Sequence, residues 1–506
     1  MKRNTLTSAV VAGITGMVGM VGVSVATESQ PVHVNPDGLG QALIYPYYTA
    51  RGGNDTLVSI VNTTARGKAV KVRFLEALNS REVLDFNLYL SPYDVWTGVV
   101  TETADGGGQI ITADTSCTVP YFYGTKGGVQ EFLAFEFTGA TTNADGGPTG
   151  IERTASGYIE MIEMGTFVAL GSLEKSITHA SDRKPLDEDC STVTGAWLTG
   201  GAWDLDSSTQ LTTPTGGLYG AGAVINAAAG TMFSYNATAI DNFLVASPNH
   251  TNPARLEPGL ADGDNPYSAT FVDGKVEAVH WGTGRAANLL AVNATITQAE
   301  VWNEYTIESA VAANTEWVVT LPTRAYHIDN GAGGKAIGTA PIAPFTKAWK
   351  TTFGCEVWPY IYWDREEQTP TEKEEVIVSP PPPDTFKPLT FCQEANIVRF
   401  APDSEEAEPA ASEIFAEPKR ADKLYGYTTI GLASGYEAGH MKFDWSGFES
   451  LPAAGSNSVG TKVKGLPVVG FSANTFKFAG VSEGVLANYG GSFNHRGTRD
   501  FVASAQ

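Results

Sequence analysis

The chain has 506 residues, with 55 Asp and Glu against 33 Lys and Arg and a formal net charge of −22. Such an excess repels nucleic-acid phosphates and anionic lipid surfaces, so neither is expected as a partner. Hydrophobics at 42% and aromatics at 10% exclude a disordered chain, while charged residues at only 17% and the 55 Gly favour strands and turns over helices.

The opening MKRNTLTSAVVAGITGMVGMVGVSVATESQP places Lys2 and Arg3 before an uncharged run from Ser8 to Val25 and the small-residue pattern Ser24-Val25-Ala26. This is the grammar of a secretory signal peptide over residues 1–26. Its glycine-bearing run is marginal for the ~20 residues of a spanning helix, and no later stretch is apolar enough to span. The expectation is a protein exported to the cell surface, extracellular space or periplasm, with no membrane span after cleavage. About 480 residues then remain, enough for two to four domains with cores of their own.

Residues 69–96, AVKVRFLEALNSREVLDFNLYLSPYDVW, alternate with period two. Val70, Val72 and Phe74 oppose Lys71 and Arg73; Leu84, Phe86, Leu88 and Leu90 then alternate with Asp85, Asn87 and Tyr89. That pattern predicts a half-buried antiparallel hairpin, with the upstream TLVSIVNTT as a third strand. Further strands are predicted at EFLAFEFTG, SGYIEMIEMGTF, GAVINAAAGTMFSYNATAI, LLAVNATITQAEVWNEYTI, TEWVVTLPTRAYHI, CEVWPYIYWD and GLPVVGFSANTFKFAG, punctuated by turns such as ADGGG and LADGDNP. Residues 298–312 fit a helix or a strand equally well. The rhythm of short strands and polar turns predicts a mainly β fold of antiparallel β-sandwich, immunoglobulin-like modules with long loops.

Four cysteines, Cys117, Cys190, Cys355 and Cys392, lack the close pairs of a zinc site and suggest two disulfides; of three connectivities, locality favours 117 with 190 and 355 with 392. Between the latter two runs EEQTPTEKEEVIVSPPPPDTFKP, followed by the acidic APDSEEAEPAASEIFAEPKRAD. Prolines in series cannot join a ladder, so residues 366–422 read as an acidic Pro-rich linker or loop. It separates an N-terminal β-sandwich region (27–200) and a second β region (201–365) from a C-terminal β segment (423–506) that packs on the second region.

No catalytic constellation stands out. GVSEG at 480–484 matches a nucleophile elbow, yet lacks the strand–helix context, and its order with His495 and Asp500 departs from that fold. WGTGRAAN holds G-x-G-x-x-A at 282–287, with Glu304 about 20 residues on, but a glycine turn suffices. The seven histidines are scattered without H-E-x-x-H or H-x-H spacing. No cofactor is expected; calcium is a weak candidate at Asp262 and Asp264, and at Asp204 and Asp206, where carboxylates stand two apart as in oxygen-rich loops. Two aromatic clusters, Tyr45, Tyr47 and Tyr48, and Trp358, Tyr360 and Tyr362, are candidate interface or sugar-stacking groups, with core packing as the competing explanation.

GAGAVINAAAGTMFSYNATAIDNF, NTEWVVTLPTRAYHI and LANYGG resemble a group of secreted proteobacterial proteins of cell-surface type with no assigned activity. The resemblance runs over most of the mature chain, implies export and a surface role, and carries over no functional residue. The leading expectation is an exported non-catalytic cell-surface or matrix protein, of surface-layer, filament or adhesin type, touching other protein subunits or cell-surface polymers through strand edges and aromatic patches. The alternative is a secreted carbohydrate-binding or carbohydrate-active protein, with Trp and Tyr platforms and two carboxylates.

Overall fold

The computed structural model describes residues 30–123, 127–138, 144–180, 184–187, 190–370, 387–404, 407–419, 425–452, 456–458, 460–477 and 488–502. The fold is mainly β, 44% strand and 13% helix, in predominantly antiparallel sheets, with Ala395–Pro402 and Thr428–Leu432 paired in parallel. An eight-stranded sheet runs in the order His33–Val34, Thr238–Asp241, Ala42–Thr49, Ser156–Phe167, Lys68–Glu76, Glu82–Leu90, Cys117–Val119, with Leu211–Thr212 added beside Ser156–Phe167. A six-stranded sheet runs Thr231–Asn236, Leu218–Asn226, Asn54–Asn62, Val95–Glu102, Gly108–Ile111, Val129–Glu131. Alternation decides how they meet: Val70, Val72, Phe74, Phe86 and Leu88 of the first sheet pack on Val58, Ile60, Trp96, Val100 and Val224 of the second.

The hairpin 68–90 forms as the alternation predicts, with two corrections. Its third strand is Ser156–Phe167, whereas Asn54–Asn62, which holds most of TLVSIVNTT, pairs with Val95–Glu102 and Leu218–Asn226 in the other sheet. Moreover, its polar face is not wet: Lys71, Arg73, Asn87 and Tyr89 are all buried, under segments that arrive more than 75 residues later, such as Thr251, which accepts from Asn87 at 2.9 Å. Ala42–Thr49 is buried along its whole length, and its pairing slips by one residue around Pro46, a bulge that spares the proline a ladder bond. Strands from 218 to 241 complete both N-terminal sheets, past the expected boundary at residue 200.

Two five-stranded sheets follow. The inner one runs Thr428–Leu432, Ala395–Pro402, Ala313–Thr320, Val469–Lys477, Asn488–Asn494; the outer one Lys387–Phe391, Glu356–Asp364, Ala438–Asp444, Glu300–Thr306, Arg496–Thr498. Trp317, Val319, Val398 and Phe400 face Val301, Tyr305, Met441 and Phe443 between them. The opposite side of the inner sheet, with Val318, Ile397, Phe471 and Ala473, joins the N-terminal core, where Phe471 stacks on Tyr235 at 5.1 Å. The inner sheet's central strands Ala395–Pro402, Ala313–Thr320 and Val469–Lys477 are therefore largely buried on both faces, while the edge strand Asn488–Asn494 stays open.

Much of the expected linker is structure. Lys387–Phe391 and Ala395–Pro402 are strands, and Ser412, Ile414, Phe415 and Glu417 are buried. Phe415 meets Tyr47 at 5.1 Å and Phe471 at 6.1 Å, so this acidic stretch wedges between the two halves. Composition averaged over the segment hides the apolar pair that pins it. Residues 371–386, with the run of prolines, lie outside the described residues, as do residues 1–29 and GVSEG.

Two other expectations change. LLAVNATI lies entirely in a helix, Arg285–Ile296, enclosed on most sides, where a continuous apolar run does not distinguish helix from strand. EFLAFEFTG yields the end of a short strand, Val129–Glu131, and a helical turn, Phe135–Thr138. Disulfides join Cys117 to Cys190 and Cys355 to Cys392. The first ties the helical excursion around Ser191–Ala196 to the edge strand Cys117–Val119; the second closes the ends of two neighbouring strands, where Glu356 pairs with Phe391. Among the described residues no helix is long and apolar enough to cross a membrane.

Candidate functional site

The charged side chains divide into two populations. One is internal, around the turn 77–82. Arg153 donates to both oxygens of Glu76 at 2.8 Å and to Asp145 at 3.0 and 2.6 Å; Arg81 meets Asp329 at 2.9 Å. Arg73 bridges Glu82 at 3.0 Å and Glu160 at 2.6 Å, and Arg324 meets Glu394 at 3.0 Å. Glu76 also accepts from the backbone N–H groups of Leu78, Asn79 and Arg81, which ties the turn's conformation to this carboxylate.

Burial governs titration here. It pushes Glu394 up to about 8 despite Arg324, Glu316 up to about 7, and the Lys335 amine down to about 8. His250, His327 and His495 are each pushed down to about 4 by the same cause. Perturbed groups often mark active sites. Here Glu316, Glu394, Glu160 and His327 lie fully inside packed structure, which gives them a structural role. Asp145 feels the same burial, but Arg153 outweighs it and holds the carboxyl below the usual range.

The other population borders two open sheet faces. On four strands of the six-stranded sheet the outward side chains include Leu57, Ser59 and Val61; Val95, Thr97, Val99 and Thr101; Tyr219, Ala221 and Ile225; and Met232, Ser234 and Asn236. Leu57 is 40% exposed, Val95 46%, Tyr219 43% and Met232 53%, a contiguous surface unlike the scattered exposed apolar residues of an ordinary monomer. On its four strands from Thr231–Asn236 to Val95–Glu102, Asp55 is the one ionised side chain pointing outward before the terminal Glu102. Edge-to-edge growth is restrained, because Thr231–Asn236 is flanked by Asn488–Asn494, whose Asn488 donates to the Ala229 carbonyl at 2.9 Å and Ser492 to that of Ser234.

The outer five-stranded sheet presents a second face. Trp363 pairs across strands with His440, and Trp302 with Lys442. The three rings lie near-parallel: Trp363 to His440 at 4.9 Å and 11°, Trp302 to Trp363 at 5.7 Å and 12°, Trp302 to His440 at 6.1 Å and 22°. Lys442 sits 5.1 Å from the Trp302 ring and bonds Glu300 at 2.5 Å.

The predicted aromatics stand elsewhere. Tyr45, Tyr47 and Tyr48 are fully buried, donating to the Ser59 carbonyl, Glu417 and the Thr154 carbonyl at 2.7, 2.8 and 3.1 Å. Trp358, Tyr360 and Tyr362 occupy the core face at 1, 4 and 4% exposure, with Trp358 stacked on Phe391 at 4.0 Å. Alternation separates them correctly from Ile361 and Trp363, but the open side carries Trp363. Trp302 and His440 are missed because only the cross-strand register unites them.

The paired aspartates serve turns. Asp262 accepts from Gly259 N–H at 2.8 Å and meets Arg285 at 2.7 Å; Asp264 accepts from Val245 and Ala246 N–H at 2.7 and 2.9 Å. Asp204 accepts from Gly200 N–H at 2.8 Å, and Asp206 from Ser208. Among the described residues no three His, Cys, Asp or Glu side chains converge as a metal site would require. Gly282 and Gly284 do precede a helix, but the preceding strand Lys275–His280 belongs to an antiparallel hairpin with Tyr267–Val272, so the parallel βαβ context is missing. No protein-family profile, curated protein or solved structure matches this chain.

Proposed function

We propose that the protein is an exported, non-catalytic structural and interaction protein of the cell surface or extracellular matrix, working through contacts between copies of itself. The observation that carries this reading is the outer face of the six-stranded sheet. Two molecules of charge −22 repel wherever ionised surfaces meet, and a broad apolar and hydroxyl face is where they approach at least electrostatic cost. The two disulfides favour an oxidising, extracytoplasmic compartment. The two-layer antiparallel packing supports an architectural kinship with immunoglobulin-like sandwiches, with more strands than their roughly seven to nine.

Sedimentation velocity tests the reading. The natural protein should associate as concentration rises, and Leu57→Lys with Val99→Lys, which place two cations on the face, should abolish association without unfolding. A natural protein that stays monomeric at every concentration refutes it. A second reading, binding of a cell-surface polysaccharide, is favoured by the near-parallel rings of Trp302, Trp363 and His440, whose faces suit the apolar side of a pyranose.

A further inference from the structure

Where the N-terminal sheets meet the C-terminal strands lies a groove of about 280 Å³. Its polar lining includes Asn35, Asn236, Gln298, Arg496 and Arg499, and Tyr235 and Phe471 supply an aromatic wall. Arg499 is the unusual member. Each of the buried arginines, 51, 73, 81, 153, 324 and 399, has a carboxylate partner within salt-bridge distance. Arg499 has none among the described residues.

Its Nη2 donates to the Thr295 carbonyl at 3.2 Å and, with the Gln298 amide turned to accept, to that oxygen at 3.2 Å. Its Nε is shielded from solvent and has no hydrogen-bond partner. Burial alone lowers its pKa, with no opposing carboxylate. An Nε–H held from water on a half-buried guanidinium without a counter-charge is costly, and an anion entering the groove relieves it.

We propose that this groove binds a small hydroxylated carboxylate, about the size of one uronic acid ring, with Arg499 as its charge partner and Arg496 at the rim. The planar guanidinium fork matches a carboxylate bidentately. Asn236 and the remaining hydrogen-bonding capacity of Asn35 and Gln298, which also bond the Leu39 and Thr498 carbonyls, offer donors and acceptors for hydroxyls, and the stacked pair Tyr235 and Phe471 closes one wall. The strongly acidic chain disfavours a multiply charged ligand, so a monoanion fits better than a phosphate or a polyanion. The groove touches the proposed self-association face only at its border, through Asn236 on the outward side of Thr231–Asn236.

Isothermal titration of the full chain with D-glucuronate, inorganic phosphate and glucose tests it. Saturable binding of glucuronate is expected, with none of glucose, a loss of about tenfold or more in Arg499→Gln, and only partial recovery in Arg499→Lys, which restores the charge but not the fork. Phosphate binding as tightly as glucuronate, no glucuronate binding, or binding unchanged in Arg499→Gln would each overturn the proposal. If Arg499→Gln fails to fold, hydrogen exchange on the natural protein decides: glucuronate-dependent protection around 35–39 and 494–500 supports the site, and protection elsewhere or none overturns it.

Discussion

Replacing Arg153 with methionine removes a buried cation and keeps much of its volume. The loss comprises the paired bonds to Glu76 at 2.8 Å, those to Asp145 at 3.0 and 2.6 Å, and the stacking of the guanidinium 4.4 Å from the Phe137 ring. Breaking a buried pair by removing one partner costs about 3–5 kcal/mol, because the stranded carboxylates stay desolvated. Glu76 keeps three backbone donors, and Asp145 keeps Asn79 and Gly147, so the lower end of that range is expected.

The pH dependence sharpens the test. In the natural protein Asp145 is depressed, so its contribution is present above the unfolded carboxylate value of about 4 and is lost as pH falls through the lower folded value. Without Arg153, the burial that already opposes ionisation of Asp145 prevails, and the folded state favours its protonated form. The variant should therefore recover stability relative to the natural protein as pH falls from 7 to 5. Guanidinium unfolding followed by tryptophan fluorescence at both pH values measures this. A deficit below about 1 kcal/mol at pH 7 would mean that the network is open to water, as exposed pairs are, and the internal-charge account would fail.

Glu316 accepts from Ile414 and Phe415 N–H and from Ser412, anchoring the wedge, and burial raises it to about 7. A raised carboxyl contributes stability that is complete below its unfolded value near 4.5 and is lost as pH rises through about 7, up to about 3 kcal/mol; Glu316→Gln should flatten that part of a stability profile between pH 4.5 and 8. Replacing Cys355 and Cys392 together by serine opens a loop with a separation of 37 and should lower unfolding stability by about 4 kcal/mol in the chain-entropy treatment, measurable as a shifted guanidinium midpoint. Trp302→Ala with Trp363→Ala should leave the unfolding midpoint nearly unchanged, since both rings lie outside the core, while weakening retardation in gels containing a cell-surface polysaccharide; undiminished retardation would remove the second functional reading.

Strand identity was legible where a short run alternates or is strongly β-branched: 68–76, 82–90, 156–167 and 356–364 follow from side-chain period alone. Which face meets water was not. Lys71 and Arg73 read as a solvated row because the segments that cover them come from distant parts of the chain, although two of the carboxylates that neutralise them, Asp85 and Glu82, stand within the same hairpin and only Glu160 comes from farther. The same limit explains the wedge at 412–417, where two apolar residues in an acidic stretch find a cleft made of three other segments. The aromatic stack was beyond reach because Trp302, Trp363 and His440 are united only by register across three strands. TLVSIVNTT was legible as a strand but not as part of an open apolar face, whose breadth depends on Val95–Glu102 and Leu218–Asn226 lying on either side.

The claim that copies of this chain meet through the six-stranded sheet is tested most directly by hydrogen exchange at low and high protein concentration. Slower exchange confined to residues 54–62, 95–102, 218–226 and 231–236 at high concentration is the expected result. Exchange in those strands that does not change while larger species form would contradict it, because assembly would then use another surface.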